Sequence, residues 1–107
     1  MSAPPHARYA VIFKSKPAKL DQDFHDTSDQ LDALVLSQPG FLGMDSVHDA
    51  EGVGITISYW ESLEAIRAWK AHPLHQTAQR KGHERWFASY QIEIVEIHRQ
   101  YQFERNA

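Results

Sequence analysis

Cysteine is absent from this chain of 107 residues. That excludes a disulfide frame, a thiolate metal site and a cysteine nucleophile, and it suits a cytoplasmic protein. Long apolar runs are absent too. The longest, Tyr9 to Phe13, is far short of the ~20 residues that cross a bilayer, so no membrane span is expected. The first residues lack a basic stretch followed by an apolar core, and export by a signal peptide is not expected either. A formal charge of −3, with lysine and arginine spread along the chain, leaves no basic patch for nucleic acid or an anionic membrane. There is no internal repeat and no low-complexity segment, and the length fits one domain with a modest core.

What is present is concentrated between Ser58 and Trp86. This stretch holds all three tryptophans, three of the seven histidines, and Pro73, which falls inside a helical pattern. Ahead of it, residues 1–8 form a lead-in with Pro4 and Pro5 and little apolar surface to hold it down. Tyr9 to Ser15 is β-branched or aromatic at most positions and closed by Lys16-Pro17, which predicts a first strand. Its unbroken apolar run requires cover on both faces of a sheet. Asp21 is a candidate N-cap, and Phe24, Thr27/Ser28, Leu31, Leu34 and Val35 recur at helical spacing until Gln38-Pro39-Gly40. Phe41 to His48 and Gly54 to Trp60 predict a hairpin turning at Asp49 to Gly52. In its second strand Ile55, Ile57 and Tyr59 share one face, against Thr56, Ser58 and Trp60.

Ser62 can cap the next helix, with Glu64 well placed against its dipole. At ~100° per residue Leu63, Ile66 and Trp69 share an inward arc. Pro73 disfavours helical geometry at His72 and suits a first helical position, so a third helix is predicted from there to about Arg85. Leu74, Ala78, Gly82 and Trp86 form its apolar stripe, with His75 inside that arc, while Gln76, Arg80, His83 and Glu84 face away. A last strand begins near Ala88 and extends toward Phe103. Tyr90, Ile92 and Ile94 are in one phase and Val95, Ile97, Tyr101 and Phe103 in the other, which predicts a bulge or a second half buried by something else. Residues 9–103 are read as a single domain and 104–107 as a tail.

The order β-α-β-β-α-β, its second crossover broken in two, defines an α+β class: a ferredoxin-like split β-α-β domain with a four-stranded antiparallel sheet. Helices cover one face of such a sheet. Apolar residues on the other face predict a second copy packed sheet to sheet, hence a homodimer.

Several motifs carry a family resemblance: Gln38-Pro39-Gly40-Phe41-Leu42-Gly43, Ser58-Tyr59-Trp60-Glu61-Ser62, Ala65-Ile66-Arg67-Ala68-Trp69-Lys70, His75, and Glu84-Arg85-Trp86-Phe87. With these the chain resembles the antibiotic biosynthesis monooxygenase family from Tyr9 to Phe103. The resemblance implies a dimeric α+β barrel with one pocket per subunit between sheet and helices. It also implies cofactor-independent oxygenase chemistry, with no metal, flavin or haem, on a small phenolic, quinol or anthrone-like substrate that gives electrons to dioxygen once deprotonated.

Such chemistry needs an apolar pocket with aromatic walls and a group that hydrogen-bonds the substrate oxygen. His75, Trp69 and Trp60 are the candidate catalytic residues, and Tyr59, Gln79 and Trp86 the candidate substrate-binding residues. His75 titrates near neutral pH and offers both donor and acceptor nitrogens. Each has a bland reading beside it: tryptophan at an inward position packs a core more often than it serves a site, and a half-buried histidine is as often a structural hydrogen bond. Tyr9 and Tyr90 could donate a phenolic proton if they face the pocket. His72 and His75, three apart, could share a metal, but the break at Pro73 spoils that geometry and no carboxylate follows in register, so no metal is expected. In the haem-degrading branch of the family a histidine ligates iron about ten residues after the tryptophan of the second helix. That position falls here at Gln79, and the first strand lacks that branch's asparagine, which ranks haem below the cofactor-free reading. A third possibility is a dimer that binds a small molecule and catalyses nothing.

Overall fold

The computed structural model describes residues 3–106. Its elements are β1 (Tyr9–Pro17), α1 (Gln22–Val35), β2 (Phe41–His48), β3 (Gly54–Trp60), α2 (Leu63–Lys70), α3 (Pro73–Lys81), a π-helical turn (Gly82–Trp86) and β4 (Phe87–Glu96). The four strands form one antiparallel sheet in the order β2-β3-β1-β4, the ferredoxin-like α+β arrangement.

The caps act as the residue types predict. Asp21 Oδ1 accepts the Phe24 amide at 2.9 Å, and Ser62 Oγ accepts the Ala65 amide at 3.1 Å. Before Pro73 it is His72 that caps α3, its Nδ1 accepting the Leu74 amide at 3.1 Å. At the hairpin between β2 and β3, Asp49 Oδ1 accepts the amides of Glu51 and Val53, and Gly52 takes a positive φ of 87°.

Register places Val11, Phe13, Thr56, Ser58 and Ile94 on the helix-facing side. The opposite side carries Ala10, Ile12, Ile57, Tyr59 and Val95, with Lys14 Nζ 3.0 Å from Glu93 Oε1. That last contact is a charge pairing whose angles do not make a hydrogen bond.

Packing is dense only at the two ends of the helix-facing layer. At one end Trp60, 1% exposed, packs with Val35 and Ile66, and its ring meets Phe41 edge-on at 5.3 Å. At the other end the buried Trp86 meets Phe24 edge-on at 5.3 Å, and Phe24 meets Phe87 at 6.0 Å. Tyr9 pairs with Trp60 and Pro17 with Phe87, so the two clusters sit at opposite ends of β1. Eight residues of strand separate them by roughly 26 Å.

Four expectations change. β1 runs on through Lys16 to Pro17, where its register with β4 shifts. The third helix divides at Gly82, where it widens by one residue: the Phe87 amide donates to the Gly82 carbonyl five residues back. Tertiary contacts impose this, because Trp86 Nε1 donates to Asp21 Oδ1 at 3.2 Å and the Phe87 ring presses on Gly82, where a Cβ would lie 3.1 Å away. β4 stops at Glu96, paired with Tyr9, because its one neighbour begins there. No bulge marks its change of phase; Ile94 and Val95 simply lie on opposite faces.

The fourth change concerns the lead-in, which is tied down over its described part. The Ala7 amide donates to the Pro4 carbonyl and the Arg8 amide to the Trp60 carbonyl, both at 3.0 Å. Gln100 Nε2 reaches the Pro4 carbonyl at 3.3 Å from the C-terminal side. Beyond Glu96 the described residues carry no regular secondary structure, and Tyr101 and Phe103 are 80% and 82% exposed.

Candidate functional site

Between the two packed ends the helices stand off the sheet and leave a cavity of about 570 Å³. The strands supply its floor through Val11, Phe13, Thr56, Ser58 and Ile92; α1 supplies a wall through Phe24, Leu31 and Val35. The apolar stripe of α1, which reads in the sequence as a core face, is thus largely a cavity face. Nothing in the pattern of α1 alone distinguishes the two.

Five of the six candidate residues line this space: Trp60, Trp69, His75, Gln79 and Trp86. Tyr59 does not. Strand alternation turns it to the opposite side of the sheet from Ser58 and Trp60, beside Asp45. Burial first, then the Asp45 charge and its hydrogen bonding, raises the Tyr59 pKa, so its phenol stays protonated. Its place as a substrate-binding residue in this cavity is therefore corrected.

The five differ in what they offer. Trp60 donates its indole N–H to Ser58 Oγ at 2.9 Å, and Trp86 donates its own to Asp21. Both are walls whose one polar atom is spent. Trp69 stands between two imidazoles, 5.3 Å from the His75 ring at 71° and 5.6 Å from the His72 ring. The Pro73 break produces this arrangement, since it folds α3 back so that both rings reach one indole.

His75 is the group with unused capacity. Its Nδ1 is buried and has no hydrogen-bond partner among the described residues, a state that buried polar atoms rarely keep without a ligand or water to complete it. Burial, then the charges of Lys70 and His72, lower its pKa below the ordinary histidine value. At neutral pH it is an uncharged imidazole with one ring nitrogen open to a hydrogen bond. His72 spends its Nδ1 on the helix cap, and among the described residues no three histidine, cysteine or carboxylate side chains converge. At the position where haem-degrading relatives place an iron ligand stands Gln79, whose amide is a poor substitute for imidazole.

Fold and cavity together define a small α+β module with a partly open, aromatic-walled site. Residues 9–81 match the family model for antibiotic biosynthesis monooxygenase, and the chain belongs to that monooxygenase-type family. Among particular relatives, it is 43% identical over 103 residues to the uncharacterized protein YqjZ of Bacillus subtilis (strain 168), covering 96% of this chain and 89% of YqjZ. Its fold matches SnoaB, a cofactor-independent oxygenase from Streptomyces nogalater, with a TM-score of 0.74 at 15% identity over 92% of this chain and 99% of that one. It matches Rv0793 from Mycobacterium tuberculosis with a TM-score of 0.73 at 13% identity over 90% and 100%. At these identities the two structures speak to the fold alone.

Proposed function

We propose that this protein is a cofactor-independent monooxygenase that uses dioxygen on a small phenolic, quinol or anthrone-like substrate, working as a homodimer in the cytoplasm. The observation that carries the reading is His75, an uncharged imidazole with one buried and unpartnered nitrogen, on the lining of an apolar cavity with aromatic walls. A flat aromatic substrate fits between Trp69 and the strand floor, where its hydroxyl can give a hydrogen bond to His75. Transfer of that proton to the imidazole leaves an electron-rich anion in a site of low dielectric.

The anion is the reductant. For an anthrone, the ring methylene loses two hydrogens and gains one oxygen atom as a carbonyl, and the second oxygen of O₂ leaves as water. Atoms and electrons balance without an external donor. The imidazolium formed at His75 is itself disfavoured by burial, so it returns its proton readily. SnoaB, named a cofactor-independent oxygenase, lends the reading support by likeness of fold.

Dioxygen uptake with 1,8-dihydroxyanthrone tests the proposal. Uptake should exceed the uncatalysed background and fall by about 10²-fold or more in His75→Leu, the size of a lost general base. Uptake at background for a panel of anthrones, quinols and phenols removes the oxygenase reading.

A further inference from the structure

The oxygenase reading employs His75 on the helical side of the cavity and gives no polar role to the strand side. Tyr90 of β4 lines the cavity there, and its hydroxyl is hydrogen-bonded to His83 Nε2. The two rings meet edge to face at 5.2 Å and 90°. Phe13 and Phe87 hold the phenol from two further directions, at 5.5 and 6.1 Å. An α-helical continuation would carry His83 outward with Gln76 and Arg80, as its sequence phase predicts. In the π-helical turn His83 does remain exposed, and its ring lies against Tyr90 of β4. Neither residue belongs to the stretch 9–81 that the family model matches.

We propose that Tyr90 Oη is a second binding group for a hydroxyl or oxyanion of the aromatic ligand, with His83 as the positioning residue behind it. A phenolic oxygen carries one proton and two lone pairs. When Tyr90 donates to His83, its oxygen is free to accept from a ligand hydroxyl. When His83 donates from Nε2, the Tyr90 proton is free to bond a ligand oxyanion. The pair therefore serves a ligand hydroxyl with His83 in its Nδ1–H tautomer and a ligand oxyanion with His83 in its Nε2–H tautomer. The proposal rests on reading the cavity as a site for hydroxylated aromatics.

Titration calorimetry with 2,6-dihydroxynaphthalene and 2-naphthol, probes of one shape that differ in a second hydroxyl beyond the one His75 can take, tests it apart from turnover. Tyr90→Phe should weaken 2,6-dihydroxynaphthalene about fivefold, the effect of one lost hydrogen bond, and leave 2-naphthol within about twofold. His83→Ala should shift 2,6-dihydroxynaphthalene in the same direction, and His83→Gln, whose amide can replace the ring nitrogen, should recover part of the loss. The ratio of the two probes within one variant cancels any general loss of folding. Equal weakening of both probes, no change in either, or no binding of either by the wild-type protein overturns the assignment. Hydroxyl discrimination without dioxygen uptake defeats the proposed reaction and leaves Tyr90 in its role; uptake without discrimination defeats this assignment alone.

Discussion

At His75 one ring must serve two conditions. Its neutrality leaves a nitrogen free to accept a proton, and the same neutrality ties the fold to pH. Because its pKa in the folded protein is lowered, the unfolded chain binds more protons between that lowered value and about 6.5. The stability linked to His75 is therefore complete above about 6.5 and is lost as the pH falls through the folded value. Urea unfolding at pH 8 and pH 5 should show a steeper loss for the wild-type protein than for His75→Leu, in which the other histidines still titrate. Parallel losses would mean that burial does not perturb this ring. The inward placement of His75 was legible from its arc on the helix, and so were the inward turns of Trp69 and Trp86. Tyr59 was misplaced because strand neighbours alternate: Trp60 faces the cavity, so the residue before it cannot. The Tyr90–His83 pair was hidden because it depends on the turn between the two residues, which no periodicity announces.

Elements whose ends are set by local chemistry could be read from the chain; those set by distant contacts could not. Asp21, Ser62 and His72 mark helix starts through bonds to amides within three residues, the last with Pro73 at the first helical position. The π-helical turn and the end of β4 depend on Trp86 reaching Asp21, on Phe87 pressing Gly82, and on where β1 begins. Salt bridges reinforce the same junction, with Lys81 Nζ 2.9 Å from Asp23 and Arg85 joined to both Asp21 and Asp23. Gly40 fixes how α2 meets the β2 edge. Its φ is 83°, its carbonyl accepts the Glu61 amide at 2.9 Å, and a Cβ there would lie 2.6 Å from the Ala65 Cβ. Neither short group can rotate away. Gly40→Ala should destabilise the fold by about 1–3 kcal/mol, from left-handed backbone strain with the clash added. A midpoint in urea unchanged from the wild-type value would show that the turn relaxes.

The molecule as a whole is two packed ends joined by a hollow middle, on a sheet whose second face is largely apolar. Apart from the buried Ala10, the apolar residues of that face, Ile12, Ile57, Tyr59 and Val95, are only half-buried in the single chain. Cover for that face is the role proposed for a second copy. Ile57 stands near its centre, between Ile12 on β1 and Asp45 on β2. Light scattering at micromolar concentration should give the mass of two chains for the wild-type protein and of one for Ile57→Asp. A single-chain mass for the wild-type protein removes the dimer. The hollow middle also leaves stability to be gained from a ligand: at a hundred times its dissociation constant, a cavity ligand should add about 2.7 kcal/mol.

The three indoles that surround this space have a further, optical consequence. Trp60 and Trp86 are buried with their N–H groups bonded, whereas Trp69 lies on the cavity wall against His75. All three line the cavity, but Trp60 and Trp86 are buried and held by their own hydrogen bonds, so Trp69 is the emitter most open to an occupant. Trp69→Phe should abolish most of the emission change that accompanies filling, making the protein its own gauge of occupancy.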